Sequence, residues 1–179
     1  MYRRMNKFMN TKNSIITKKI HFSCGEMILG SFEGKLCLCD WVDGRRRDKI
    51  DYRLQRILSA LYVEGDSDVI ETARQQLNEY FDGKRRDFDI PLLFVGTDFQ
   101  KKVWEELRKI PYGTTVSYGK IAQRLGDQNL VRAVANANGL NALSVIVPCH
   151  RVIGSSGNLT GYGGGLRRKS YLLDLEQGF

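Results

Sequence analysis

The residues with the most chemistry to offer stand together at Cys149-His150-Arg151, a thiol, an imidazole and a guanidinium on consecutive positions. A thiolate is a strong nucleophile, and nearby cations lower the pKa of the thiol that yields it. Glu176, near the end of the chain, supplies the carboxylate that completes a nucleophile–base–orienter set. Spacing alone does not bring the three together. If the backbone stays extended at 149 and 150, the two side chains point to opposite faces, so their contact needs a turn or a bridging water. The plain alternative is that Cys149 is a small core residue and His150 its hydrogen-bonded neighbour, because free cysteine is often simply buried.

Several elements must position these groups. Val145-Ile146-Val147 reads as a short buried strand that Pro148 brings to an end. Beyond the cysteine, the glycine-rich run from Gly154 to Gly165 permits close approach of a ligand to backbone amides, and Tyr162 offers a flat face within it. A last helix over 166–177, with Leu172, Leu173 and Leu175 inward, carries Glu176. Upstream, Thr97 or Asp98 caps a helix through Ile110, with Phe99, Val103, Leu107 and Ile110 on its apolar stripe. Pro111-Tyr112-Gly113 ends it.

Ser117 then caps a shorter helix, Gly126-Asp127-Gln128 makes a turn, and a further helix spans 130–138. Two short helices across a tight glycine-containing turn are a helix-turn-helix signature. In the second helix Leu130, Ala133, Val134 and Ala137 form one apolar stripe. The opposite face shows Arg132, Ala135, Asn136 and Gly139, small and nearly flat apart from one long cation. Such a face can approach a nucleic-acid groove closely while inserting a guanidinium. A plain surface helix with an exposed arginine is the competing reading.

The first half carries no chemical motif. Ile15–Phe22 is a strand, and Met27–Phe32 and Leu36–Val42 flank a hairpin turn at Glu33-Gly34-Lys35. Alternation places Cys37 and Cys39 on one face of the second hairpin strand, with Leu36 and Leu38 on the other. His21, Cys24, Cys37 and Cys39 suit zinc chemically, but their spacing is not that of a tetrahedral site, so no metal is expected. Residues 45–49 read as a solvated charge run, 52–62 and 67–81 as helices, and 88–91 as a short edge strand and a boundary.

At 179 residues the chain has room for one domain or two small ones. Its net charge of +8 favours polyanionic partners. Four widely or awkwardly spaced cysteines point to reduced thiols rather than a disulfide framework. No stretch approaches the ~20 apolar residues of a membrane span. The basic start, Met1 to Lys19, lacks the apolar core and cleavage site of a secretory signal, which predicts a cytoplasmic protein whose residues 1–14 are flexible.

These residues together resemble the methylated-DNA–protein-cysteine methyltransferase (O6-alkylguanine-DNA alkyltransferase) family. Pro148-Cys149-His150-Arg151-Val152 carries the resemblance, with Phe99-Gln100, Val103-Trp104 and Pro111-Tyr112-Gly113 upstream and Tyr162, Gly164-Gly165-Leu166 and Glu176 downstream. The first half is similar only in layout. The resemblance implies an α+β fold: a ribonuclease-H-like domain over 1–91, then a mostly helical, winged helix-turn-helix-like domain over 92–179.

It also implies repair by direct reversal, in which an alkylated guanine is flipped out of double-stranded DNA and gives its alkyl group to a thiolate, once per molecule. Carried over, Cys149 is the acceptor, His150 the base acting through water, Glu176 its orienting carboxylate and Asn141 the supporting asparagine. Arg132 fills the gap left by the base, from a helix whose DNA side includes Ala135, Asn136 and Asn138. Tyr112 reaches the base and its phosphate. The carbonyls of Cys149 and Val152 receive the guanine amine, Tyr162 flanks the pocket, and the amide of Gly163 faces the modified oxygen. No cofactor, no membrane partner and a monomer are implied. Gly163 stands where some members have serine and Asn138 where some have methionine, and the zinc ligands of certain animal members are not recognisable. Two other readings remain: a non-catalytic sensor of alkylated DNA with the same fold, and a Cys–His–Glu hydrolase.

Overall fold

The structure, a computed structural model, describes residues 13–178. The expected flexible start therefore lies outside the described residues up to position 12, whereas Ser14 already belongs to a strand. In the first half, β1 (Ser14–Phe22), β2 (Gly25–Phe32) and β3 (Lys35–Trp41) form an antiparallel meander. The β2–β3 turn is a two-residue loop with Glu33 at φ 48° and Gly34 at φ 75°. Both residues are left-handed, as a tight hairpin with twisted strands requires.

Alternation fails at one place in β3. Gly30 pairs with Leu38 but Ser31 pairs with Leu36, so Cys37 is an extra residue in a bulge. Leu36 and Cys39 consequently join one buried cluster with Leu29 and Trp41, while Cys37 and Leu38 join another with Ile15 and Leu54. The two cysteines do not share a face. All four cysteines are free thiols, and among the described residues no three His, Cys, Asp or Glu side chains converge as a metal would need.

The charge run is not a solvated loop. Helix α1 spans Arg47–Leu58 and begins inside it. Arg47 pairs with Asp51 one turn on and approaches Asp40, so the guanidinium helps build the helix start. Ser59, left-handed at φ 48°, stops the helix before 62. The chain then forms β4 (Leu61–Glu64), a strand absent from the sequence reading, parallel to β1 and completing the order β3-β2-β1-β4.

Helix α2 (Asp68–Phe81) is capped by Ser67 and buries Val69, Ile70, Ala73, Leu77 and Tyr80, as its periodicity predicts. Residues 88–91 form no strand of their own. The Gln76 amide holds the Asp89 backbone on both sides, at 3.0 and 2.9 Å, and pairing with β3 moves on to Pro91 and Leu93.

The second half is mostly helical. Helix α3 (Asp98–Arg108) starts with a complete capping box between Thr97 and Gln100. After it come β5 (Val116–Ser117), α4 (Tyr118–Arg124, capped by Ser117), a short turn at Gln128–Leu130 and α5 (Val131–Gly139). A two-residue strand β6 (Val152–Ile153) pairs in parallel with β5, and α6 (Leu166–Gln177) closes the chain.

The strand expected at 145–147 does not form. Val145 is left-handed at φ 73°, and the whole stretch from Asn141 to Pro148 is a buried loop. It lies against the edge of β3, where the Cys39 amide donates to the Ala142 carbonyl at 2.8 Å. A run of β-branched residues is buried here without a ladder, because β3 supplies its neighbour. One buried cluster runs from Phe22, Met27 and Trp41 of the first half to Val134, Cys149 and Leu172 of the second. No helix among the described residues is long and apolar enough to cross a membrane.

Thr97→Ala removes the capping oxygen from α3 while leaving the cysteine loop untouched. Urea unfolding of this variant is expected to show a loss of about 1 kcal/mol.

Candidate active site

Cys149, His150 and Arg151 form a single tight helical turn. That turn removes the opposite-face problem: His150 and Arg151 both reach Glu176 on α6. His150 Nε2 lies 2.7 Å from Glu176 Oε1, and Arg151 donates Nε to Oε2 at 2.8 Å and Nη2 to Oε1 at 3.0 Å. Tyr80 of α2 donates its hydroxyl to Oε1 at 2.6 Å, and the Gly113 amide donates to Oε2 at 3.1 Å. Burial works to raise the Glu176 carboxyl, but the His150 and Arg151 bonds outweigh it and hold the group far below the ordinary range.

His150 is fully buried, and burial pulls its pKa below 6.5 despite the opposing pull of Glu176. The ring is therefore neutral at neutral pH. With a carboxylate accepting at Nε2, the proton sits on that nitrogen and Nδ1 carries the lone pair. Nδ1 is buried and has no hydrogen-bond partner. A bare neutral nitrogen held this way is able to accept a proton.

The thiol itself is 3% exposed. Asn141 donates Nδ2 to Sγ at 3.2 Å and to the Val147 carbonyl at 2.9 Å, and its Oδ1 receives the Leu143 amide at 2.9 Å. One side chain thus shapes the loop and touches the sulfur. Burial pushes the Cys149 thiol up to about 11, against the Asn141 hydrogen bond, with the Asp40 charge also raising it and Lys169 opposing. Arg151, committed to Glu176, does not activate it at rest, and the pull of Lys169 does not offset burial.

Cys149 borders a chamber of about 10 Å³, walled by Asp40, Arg46, Asn138, Asn141, Ser144 and Gly163 among others. Outside it lies a cleft of about 390 Å³, lined by Arg45, Arg46, Arg132, Ala135, Asn136, Gly139 and residues Gly161 to Gly163. The structure therefore gathers Arg132, Ala135, Asn136, Tyr162 and Gly163 at the mouth and Cys149, Asn141 and Gly163 within. The expected α5 stripe shifts slightly. Ala133 is exposed, and Val134 and Ala137 are buried together with Asn138 and Gly139.

Asn138 is thus not on the outer helix face. It is 2% exposed and turned inward, donating Nδ2 to the Cys149 carbonyl at 3.4 Å, with its Oδ1 unpartnered. The Val152 carbonyl accepts the Lys169 ammonium. The Tyr162 hydroxyl accepts Trp41 Nε1 at 2.9 Å, which fixes the ring from the first half.

Tyr112 is a correction. It lines neither chamber nor cleft; its ring lies against Tyr80 and between Arg86 and Arg151, and its hydroxyl donates to the Leu175 carbonyl at 3.4 Å. The Pro111–Gly113 turn at the end of α3 directs the side chain behind the carboxylate. Tyr118 is the tyrosine within electrostatic reach of Cys149. It donates to the Thr160 carbonyl at 3.0 Å, and burial, with the Cys149 charge adding, pushes its hydroxyl up to about 12.

Tyr80 and Lys169 are site residues that the sequence does not single out, and Arg151, read there as a cation beside the thiol, serves the carboxylate instead. Lys169 is fully buried, donates to the Val152 and Thr160 carbonyls, and is lowered to about 8 by burial. Its signal was available: positions 169, 172, 173 and 176 follow the i, i+3, i+4, i+7 pattern of one helix face. Tyr80 had none beyond apolar periodicity.

The chain matches two family descriptions in tandem. Residues 15–94 match the ribonuclease-like domain of 6-O-methylguanine DNA methyltransferase, and residues 98–178 match its DNA binding domain. The chain belongs to the methylated-DNA–protein-cysteine methyltransferase family. A relative of that name from Methanosarcina barkeri is 44% identical over 153 residues, covering 86% of this chain and 91% of its own. One from Mycobacterium bovis is 54% identical over 112 residues, 63% of this chain and 68% of its own.

The fold agrees with the Mycobacterium tuberculosis O6-methylguanine methyltransferase at TM-score 0.75 and 40% identity, covering 92% of each chain. The Mycobacterium tuberculosis OGT solved in complex with DNA gives TM-score 0.78 at 41% identity, covering 90% of this chain and 92% of that one. Neither the sensor nor the hydrolase reading is favoured by relatives named for methyl transfer to a cysteine.

Glu176→Gln leaves Arg151 buried without a counter-charge, so urea unfolding near neutral pH is expected to show a loss of about 3–5 kcal/mol. Because the folded carboxyl lies below its ordinary 4.5, the wild-type advantage is fully present above that pH and disappears on further acidification.

Proposed function

We propose that Cys149 is the alkyl acceptor of this methylated-DNA–protein-cysteine methyltransferase, a DNA-repair protein that acts by alkyl transfer to cysteine. The observation that carries the reading is a buried thiol one residue from a neutral imidazole with an unpartnered Nδ1, at the inner end of an arginine-lined cleft. The partner is double-stranded DNA containing alkylated bases, met by a cytoplasmic monomer. We divide the work between residues 1–91, which brace the site, and 92–179, which bind DNA and accept the alkyl group.

Extruding a base costs a few kcal/mol, which contacts to its edge and a plug in the vacated stack offset. Arg132, exposed on α5 at the cleft, is the plug. The Cys149 and Val152 carbonyls take the guanine amine. The Val152 carbonyl takes the Lys169 ammonium and keeps a second lone pair, whereas the Cys149 carbonyl takes the Val152 amide and Asn138, and the guanine amine replaces the long 3.4 Å Asn138 bond. Gly163 offers its amide to the oxygen at C6, beside the ring of Tyr162.

The thiol proton passes through one water to His150 Nδ1. The Sγ–C bond then forms as the C–O6 bond breaks, and the released guanine recovers a proton. His150 remains oriented by Glu176 throughout, and Asn141 holds the sulfur in line. A thioether has no route back to the thiol here, so each molecule acts once.

Incubation with an O6-methylguanine duplex should add one methyl mass to the Cys149 peptide, and Cys149→Ala should leave the lesion intact. An unmodified Cys149 peptide alongside a repaired lesion would place the acceptor elsewhere. Protonated His150 cannot accept the thiol proton. With its pKa below 6.5, the single-turnover rate should hold from neutral pH to about 6.5 and fall only in more acidic solution. Arg132→Ala should lower transfer from duplex about tenfold more than transfer from free O6-methylguanine, a difference of ~1.4 kcal/mol; equal losses would exclude the plug role.

A further inference from the structure

A chamber of about 10 Å³ has room for one water and not for a nucleobase. Yet the cleft immediately outside is about forty times larger, at about 390 Å³ against about 10 Å³. The two spaces share Arg46, Gly139 and Gly163 as walls. Both glycines contribute only backbone, so the side chain standing between cleft and sulfur is that of Arg46.

Its guanidinium is latched to α5. Nη1 donates to the Asn136 side-chain oxygen at 2.8 Å and to the Asn136 carbonyl at 3.3 Å. The group lies flat against Gly139, where a Cβ would come within 3.1 Å of Cζ. A Cβ there would push the guanidinium back by a few tenths of an ångström.

The latch is electrically incomplete. Arg47 pairs with Asp51 and Arg168 with Asp43, but among the described residues no carboxylate pairs with Arg46. Its partners are two neutral oxygens at a surface, each such bond contributing about 0.5–1.5 kcal/mol net. A phosphate offers a charge-assisted bond roughly twice as strong. Arg45 and Arg132 line the same cleft and draw an anion there. The backbone on either side is anchored: the Arg45 amide donates to the Gly163 carbonyl at 3.0 Å, and the Arg47 side chain is held by Asp51. The side chain can therefore leave by rotamer change alone.

We infer that Arg46 gates the acceptor chamber, exchanging the oxygens of Asn136 for a DNA phosphate. The gate makes the protein select an alkylated guanine in duplex over the same base free in solution. A free base brings no phosphate and meets a closed chamber; a duplex opens it on docking. The specificity of the repair domain then rests partly on an arginine of the other half. This rests on Cys149 being the acceptor.

The test compares full-length wild type, Arg46→Ala and Asn136→Ala. Single-turnover methylation of Cys149 is measured with an O6-methylguanine duplex and with free O6-methylguanine, together with the salt dependence of duplex binding. Wild type that methylates Cys149 from duplex secures the underlying reading, and failure there refutes that reading rather than the gate. Arg46→Ala should raise the free-base rate about tenfold and make the plot of log binding constant against log salt shallower by about one phosphate contact. Asn136→Ala, which loosens the latch but keeps the cation, should raise the free-base rate with the salt slope unchanged. A free-base rate unaltered in both variants, or a salt slope unaltered in Arg46→Ala, overturns the proposal.

Discussion

The site depends on one buried negative charge. The Glu176 carboxylate receives His150, Tyr80, Gly113 and two nitrogens of Arg151. A buried carboxylate is costly unless paired and saturated with donors, and this one is both. Its donors come from α2, from the turn after α3 and from the cysteine turn, so one anion fixes three distant segments relative to α6. The same arrangement sets the imidazole tautomer. Were the carboxylate to accept only from Arg151, the ring could turn its lone pair either way.

Saturating Glu176 has a consequence for the sulfur. Three consecutive residues suggest a thiol activated by adjacent cations, but Arg151 bends toward the carboxylate and His150 is kept neutral. Burial then governs, and a thiol near 11 is ionised to only about one part in ten thousand at pH 7. For a residue used once this is coherent. Reactivity toward oxidants and stray electrophiles follows thiolate content and exposure, and both are low here.

Local chemistry was readable from the chain and tertiary compensation was not. Thr97 and Ser117 cap the helices they were expected to cap, because a hydroxyl three residues before an amide needs nothing beyond its own turn, and Ser67, read as the first residue of its helix, caps α2 in the same way. The misreadings share a cause. Cys37 bulges because β2 takes a different partner on each side of it, the 45–49 run starts a helix because Asp51 is one turn away, and Val145–Val147 is buried without being a strand because β3 lies beside it. In the site, the residue types at 149, 150 and 176 were legible, whereas their meeting depended on a turn that spacing cannot announce. Tyr112 and Tyr118 lie six positions apart near two turns, and only the fold decides which one comes near Cys149 and which packs behind Glu176. Tyr80 reaches Glu176 across 96 residues from a half with no motif.

That first half is more than a support set to one side. Val145 is β-branched and left-handed, a conformation costing about 1–3 kcal/mol that persists only where surroundings over-determine it. The surroundings are β3. Cys39 pairs with Ala142 along the strand edge, the Ser144 hydroxyl donates to Asp40 at 2.9 Å, and Trp41 holds Tyr162 on the far side of the cysteine. Arg168 of α6 completes the clamp, stacking on Trp41 and bonding Asp43 and the Gly164 carbonyl. The loop that carries Cys149 could relax to an ordinary extended path if β3 were absent, and Asn141 would no longer meet the sulfur. Strand pairing in one half is thereby converted into sulfur placement in the other. This is why a sheet without a chemical motif stands within hydrogen-bonding distance of the residues that have one.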